Sequence, residues 1–161
     1  MKVKKEIVIK KLEERGVTIR DIAEIVMELQ KNYHQLTIEE CDKAVISVIE
    51  KREAYHSILV GIALDELAEK RVMDKEINDI ILEDNHLFGI DEILALSIVN
   101  MNGSIALTNF GYMDKIKPGI IGKIDDIGKQ ENKCHTFLDD IVAAIAASAA
   151  SRLAHASEND M

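Results

Sequence analysis

Apolar side chains recur along most of the chain at the spacing of an amphipathic helix. Between Ile22 and Leu29 they occupy positions i, i+3, i+4 and i+7, which lie on one face of a helix. Between Ala44 and Ile49 the apolar residues again form one stripe. A further helix is predicted over residues 54–69. The pattern therefore indicates a chain that is helical almost throughout.

Three of the predicted helices also carry start signals. Thr18 with Asp21 resembles a start signal, and Thr37 with Glu40 fits the pattern of a capping box. In such a capping box the threonine hydroxyl accepts a hydrogen bond from the backbone of the acidic residue, whose carboxylate accepts one in return. Asp74 is predicted to cap a helix that runs to Asp84.

The stretch from 93 to 113 carries no charge. Its 21 residues are long enough to span a membrane. However, Asn100, Asn102 and Asn109 need polar partners that lipid does not provide. We therefore expect buried helices at the centre of a bundle, with a break near Asn102 and Gly103.

The last predicted helix, over residues 136–154, is rich in alanine, which favours the helix and permits close packing. Together these elements predict an all-α fold: a compact bundle of about six to eight helices with a buried central helix. A single domain over residues 1–161 is expected from this length.

Composition and charge exclude several classes of protein. Hydrophobic residues make up 47% of the 161, with one proline and eight glycines, which argues against a disordered chain and a turn-rich all-β fold. The net charge of −9 argues against nucleic acid as a partner. Residues 1–20 hold seven basic and three acidic side chains, which predicts a solvated helix face or peripheral contact with an anionic membrane. Cys41 and Cys134 are too few for a disulfide framework and indicate reduced thiols in a cytoplasmic protein.

Acidic residues mark the ends of the most apolar segments. Asp91 and Glu92 enter the uncharged stretch and Asp114 leaves it, while Asp139 and Asp140 enter the alanine-rich helix. Buried carboxylates are costly unless they are paired or bind a cation, so convergence of these side chains would call for a cation. Ligands that are all oxygen suit Mg²⁺ or Mn²⁺.

Other residues near these carboxylates leave alternatives open. Lys117, three residues after Asp114, could hold a phosphate group as a point charge, but the two are also spaced as an ordinary surface pair. Acidic residues also begin many helices simply because they complement the helix dipole. His86 is a further candidate acid or base. Asp65 and Glu66 are assigned to a helix surface.

These motifs follow one another in a particular order. They are Asp84, then Asp91-Glu92, then Phe110-Gly-Tyr-Met-Asp114-Lys-Ile-Lys117-Pro118, then Asp125, then Phe137-Leu-Asp139-Asp140-Ile-Val-Ala-Ala. The series resembles the phosphatidylglycerophosphatase A family, which has an Asp-Glu pair at a helix start, an Asp three residues before Lys-Pro, and a late Asp-Asp helix. The resemblance covers about residues 83–150.

The resemblance implies a Mg²⁺-dependent phosphatase, with Mn²⁺ as the alternative ion, that converts phosphatidylglycerophosphate into phosphatidylglycerol and phosphate. The metal ligands that it implies are Asp91, Glu92, Asp139 and Asp140. The catalytic residues that it implies are Asp84, Asp114 and Lys117, of which the lysine neutralises charge on the transferred phosphate.

The chain differs from typical family members in its first 80 residues, which predict charged amphipathic helices instead of transmembrane spans. Gly111 also stands where the family often has an arginine. The sequence therefore resembles a soluble, divergent member. Two other functions stay open: a phosphatase for a soluble phosphomonoester, and a non-catalytic helical interaction protein that retains an acidic cation site. An apolar helix face would also permit a homo-oligomer.

Overall fold

The computed structural model describes residues 5–84, 88–130 and 132–158, with side chains up to residue 156. These residues contain no strand, and the predicted all-α fold is confirmed. The helices are α1 (Lys5–Glu14), α2 (Ile19–Gln30), α3 (Ile38–Ile49), α4 (Arg52–Glu69), α5 (Lys75–Glu83), α6 (Ile90–Val99), α7 (Gly103–Ile116), α8 (Ile120–Gly128) and α9 (Leu138–Glu158).

The predicted capping box at Thr37 is formed, and the start signal at Thr18 is a capping box as well. Thr18 Oγ1 accepts a hydrogen bond from Asp21 N at 3.1 Å, and the Asp21 carboxylate accepts one from Thr18 N at 2.8 Å. Thr37 and Glu40 make the same pair of contacts at 3.3 and 2.7 Å. The helix predicted after Asp74 is α5, but in the described structure the Asp74 side chain makes no capping hydrogen bond.

The central helix of the bundle is α9. Its residues from Leu138 to Ala150 are all buried, and α2, α3, α4, α6, α7 and α8 pack against it. Six of its residues within this range are alanines, which favour the helix and add little bulk, so neighbours can approach it from all sides. The predicted buried central helix is therefore present, at the end of the chain.

The uncharged stretch 93–113 does not occupy the centre, so that part of the prediction is wrong. A 3₁₀ turn at Asn100–Asn102 interrupts it, close to the predicted break. Both α6 and α7 turn one side to solvent, where Ile93 is 63% and Tyr112 is 55% exposed. Among the described residues one helical segment, Ile90–Ile116, is long and apolar enough to cross a membrane by length and composition alone, and 28% of its most apolar window is buried.

Gly61 allows α4 to approach the first turns of α9 closely. A Cβ atom at this position would lie 2.1 Å from Ile141 Cδ1 and 3.3 Å from Phe137 Cβ. Because both of those side chains are buried in close-packed surroundings, a larger residue would push the two helices apart. The middle of α4 is thereby placed beside the end of α9 that carries Asp139 and Asp140.

Candidate active site

A cavity of about 560 Å³ opens where the ends of several helices meet. Helices α6 and α9 begin there, α5 and α7 end there, and α8 contributes Asp125 and Gly128. The cavity is lined by all seven predicted site residues: Asp84, Asp91, Glu92, Asp114, Lys117, Asp139 and Asp140. The structure therefore brings together residues that lie up to 56 positions apart in the sequence.

Helix ends explain how these acidic residues come together. Asp91 and Glu92 lie in the first turn of α6, and Asp139 and Asp140 lie in the first turn of α9. The partial positive charge of a helix N-terminus favours anionic side chains. Asp84 follows the last residue of α5 in the left-handed conformation, with φ of 46°. Such backbone strain in a residue other than glycine is typical of functional sites.

Lys117 forms ion pairs with three of the acidic side chains in the cavity. Its Nζ atom contacts Asp139 and lies 3.5 Å from Asp125 Oδ1 and 3.9 Å from Asp114 Oδ1. Burial lowers the pKa of Lys117, but the charge and hydrogen bond of Asp139 and the charges of Asp125 and Asp140 together raise it by more, so the amine stays protonated. Lys117 follows α7 with φ of 45°, directly before Pro118. Its backbone is therefore strained as well.

Asp140 connects the carboxyl groups of Asp91 and Asp114. It is only 3% exposed, and its carboxyl group lies within hydrogen-bonding reach of both neighbours. Burial, and then the charge of Asp139, raises the pKa of Asp140 to about 10. The surroundings of this carboxyl group therefore oppose its ionisation unless a cation binds there.

The carboxylate of Asp91 has an oxygen, Oδ1, that is buried and has no hydrogen-bond partner among the described residues. An ionised oxygen in this position has lost water without gaining a donor. A cation would satisfy it, and the oxygen donors around it suit Mg²⁺ or Mn²⁺. Among the described residues, no three His, Cys, Asp or Glu side chains are placed so that together they could hold one metal ion. The residues fit such a cation by donor chemistry and by the unpartnered oxygen of Asp91, but their side chains would have to move closer together to share it.

Asp125 and His135 are two of the lining residues that were not among the predicted site residues. Asp125 accepts a hydrogen bond from Lys129 at 2.6 Å and faces Lys117. Asp125 lies four residues before Lys129, a spacing that is typical of an ion pair on a helix surface. Only its place in the ordered series of motifs could have marked it as a site residue. His135 also lines the cavity and contacts the carbonyl of Ile124 through Nδ1 at 2.7 Å. Its one signal in the sequence was its place next to Cys134, with which it could supply part of a metal site.

The assignment of Asp65 to a helix surface is wrong. Asp65 is 0% exposed and accepts hydrogen bonds from Phe137 N and Leu138 N, each at 3.0 Å. Its neighbour Glu66 is partly exposed and pairs with Lys11 at 3.1 Å. The partners of Asp65 lie more than 70 residues later in the chain, so the local pattern could not reveal its burial.

Basic side chains near the N-terminus have acidic partners within the protein. The pairs are Lys5 with Glu50, Lys11 with Glu66, Arg15 with Glu69 and Arg20 with Asp42. These contacts favour a helix face whose charge is largely balanced internally. Lys2, Lys4 and His86, which belonged to the sequence predictions, lie outside the described residues.

Similar proteins match nearly the whole chain. The uncharacterized protein YutG of Bacillus subtilis (strain 168) is 53% identical over 146 residues, which cover 90% of this chain and 87% of YutG. The crystal structure of YpjQ from Bacillus subtilis has a TM-score of 0.92 at 48% identity and covers 98% of this chain and 96% of its own. That of the low temperature requirement C protein from Listeria monocytogenes has a TM-score of 0.91 at 50% identity and covers 96% of both chains.

The family model for Phosphatidylglycerophosphatase A matches residues 8–155. This match includes the motifs at 83–150 and extends through the N-terminal helices, in which no family motif was recognised. The family match therefore covers the N-terminal helices as well as the residues that line the cavity. The protein belongs to the phosphatidylglycerophosphatase A family.

Proposed function

We propose that this protein is a Mg²⁺-dependent phosphatase that removes the terminal phosphate of phosphatidylglycerophosphate, acting in the cytoplasm at the membrane surface. Family membership indicates a phosphatase-related function. The observation that carries the finer proposal is the cavity, in which eight acidic side chains face two lysines. A soluble phosphomonoester is the alternative substrate for the same chemistry.

The charge of the cavity supports a reaction that depends on a cation. Two like unit charges 4 Å apart repel each other by about 4 kcal/mol at an effective dielectric constant of 20. A phosphate dianion would therefore be repelled strongly, even with Asp140 protonated. A divalent ion held by Asp91, Glu92, Asp139 and Asp140 would turn this repulsion of phosphate into attraction. It would also satisfy the unpartnered Oδ1 atom of Asp91.

The remaining residues have roles that follow from their contacts. When bound, Mg²⁺ would act as a Lewis acid toward the phosphoryl group and water. Lys117, held between Asp139 and Asp125, is placed to neutralise charge that develops on the phosphate. Asp114 faces both Lys117 and Asp140 and is the proposed proton acceptor. Asp84 completes the proposed catalytic set from the end of α5.

Phosphate release from phosphatidylglycerophosphate in mixed micelles, with Mg²⁺ and with chelator, tests this proposal. Asp140→Asn should lower kcat/KM by roughly 10³-fold or more without unfolding the protein, because it removes a ligand and a proton carrier from the cavity. Asp126→Asn is the matched control, since Asp126 is an exposed acidic residue on α8 that does not line the cavity. Its activity should stay within about twofold of the wild-type activity.

The two arms of the assay distinguish the substrates. Chelator-sensitive release from the lipid supports the proposal as stated. Release from a soluble phosphomonoester alone would keep the chemistry and overturn the lipid substrate. No release from any substrate, by folded protein in Mg²⁺, would refute the phosphatase and favour an interaction protein that retains the acidic cavity.

A further inference from the structure

The start of α9 is capped by a side chain from another helix. Phe137 N donates to Asp65 Oδ1 and Leu138 N donates to Asp65 Oδ2, both at 3.0 Å. The first N–H groups of a helix have no partner within it, and most helices satisfy them with a residue just before the start. Here the cap comes from the middle of α4, and it uses both oxygens of one buried carboxyl group.

A second contact fixes the chain just before this cap. Glu69, one turn beyond Asp65 on α4, accepts a hydrogen bond from Cys134 N at 2.9 Å and pairs with Arg15 at 2.5 Å. Arg15 in turn donates to the carbonyl of Cys134 at 2.6 Å. The Cys134 thiol also donates to Asp65 Oδ1 at 3.4 Å. Both ends of the segment 134–138 are therefore held against α4.

This segment leads directly into the cavity. Leu138 is followed by Asp139 and Asp140, and each helical residue turns the chain by about 100° and advances it by about 1.5 Å. The position at which α9 begins consequently fixes the direction of both carboxyl groups. Asp65 itself is fully buried and does not line the cavity, so it has no route to the substrate.

We propose that Asp65 is a positioning residue, whose double cap on α9 holds the carboxyl groups of Asp139 and Asp140 in place within the cavity. Glu69 supports it from the other end of the segment. The expected loss of kcat when this cap is weakened rests on the proposed phosphatase function. The expected displacement of Asp139 and Asp140 does not.

Asp65→Asn tests the cap with little change in size. Asparagine has one oxygen that can accept, and its amide group would face the second backbone N–H with another donor. We expect kcat to fall by roughly 10- to 100-fold, as for a misplacement of about 1 Å, with KM within about threefold. Thr18→Ala is the matched control, because it removes the cap of α2, which is remote in sequence from the site. It should lower Tm and leave kcat unchanged.

Equal kcat values per folded molecule for D65N and T18A would overturn the proposal, since a purely structural role predicts that result. If D65N fails to fold, Glu69→Gln takes its place. We expect E69Q to lower kcat by roughly three- to tenfold, because it weakens only the contacts of Glu69 with Cys134 N and Arg15. Unchanged kcat in a folded E69Q would then count against positioning through α4.

A crystal structure of D65N separates this inference from the proposed function. We expect the Cα atoms of Asp139 and Asp140 to move by about 1 Å relative to Asp91. Superposition within coordinate error would overturn the positioning role, whether or not the wild-type protein releases phosphate. Inactive wild-type protein combined with a displaced α9 would refute the phosphatase and uphold the positioning of the two carboxyl groups.

Discussion

Replacing Lys117 with methionine should destabilise the protein, because it leaves buried carboxylates without their cation. The Nζ atom of Lys117 contacts Asp139 and lies 3.5 Å from Asp125, and the lysine side chain is 31% exposed. Truncating one partner of a fully buried pair costs roughly 3–5 kcal/mol. Partial exposure of Lys117 and proton uptake by Asp139 reduce this to about 2–3 kcal/mol. For a chain of this length, Tm should fall by about 4–12 °C.

The effect of K117M should grow with pH. Burial raises the pKa of Asp139 to about 7 even beside Lys117, and loss of the lysine raises it further. The folded variant then keeps a proton that the unfolded chain, with an aspartate pKa of about 3.9, has released. Stability therefore falls as pH rises through the folded-state pKa. Calorimetry in chelator at pH 5 and pH 8.5 should show the larger difference in Tm from wild type at pH 8.5.

Mg²⁺ and a second lysine complete this test. If the carboxylates bind a cation, adding Mg²⁺ at pH 8.5 should raise the Tm of K117M by more than that of the wild type. Lys129→Met is the control, because Lys129 also pairs with Asp125 but is 65% exposed, and exposed pairs contribute about 0–1 kcal/mol. Equal losses of Tm in K117M and K129M, or a loss independent of pH, would refute the reasoning from burial.

Three further predictions concern backbone strain at two residues and the titration of a buried acid. Arg71→Gly relieves a φ of 53° outside the cavity and should raise stability by about 0.5–1 kcal/mol with activity unchanged. Asp84→Gly, at a φ of 46°, should stabilise similarly but lower phosphate release; full activity would contradict a role for Asp84. Burial raises the pKa of Asp65 to about 8, so the folded protein binds more protons than the unfolded chain between about pH 4 and 8 and loses stability as pH rises. Urea melts of D65N at pH 5 and 8.5 should show a smaller change than wild type, and an equal change would contradict this titration.

Local sequence was sufficient for the helices and insufficient for their arrangement. The stripe at Ile22–Leu29 and the capping boxes at Thr18 and Thr37 depend on residues three or four positions apart, and all of them are present. The choice of central helix depends on packing between distant elements. The uncharged stretch 93–113 has larger apolar side chains. The small alanine side chains of α9, however, allow six helices to pack around α9. Composition alone pointed to the wrong segment.

The candidate site shows the same division. Asp91, Asp114 and Asp140 could be selected because each stands at the end of an apolar helix, and helix ends meet at one side of a bundle. Asp65 could not be selected, because its burial follows from N–H groups at the far end of the sequence. Asp125 was hidden for a different reason: its partner four residues later, Lys129, gives it the pattern of a solvated surface pair.

Magnitudes decide between helix capping and chemistry as the reason for the acidic residues at the start of α9. An acidic residue in a first helical turn stabilises a protein by about 0.3–1 kcal/mol through the helix dipole, provided that it is ionised. Asp140 is buried beside Asp139, and its pKa of about 10 shows that its surroundings oppose ionisation by more than the dipole favours it. Capping of α9 is in any case supplied by Asp65. Asp140 therefore lowers stability at a position where no cap is needed. Its presence is explained by an interaction with a cation, a proton or a substrate in the cavity.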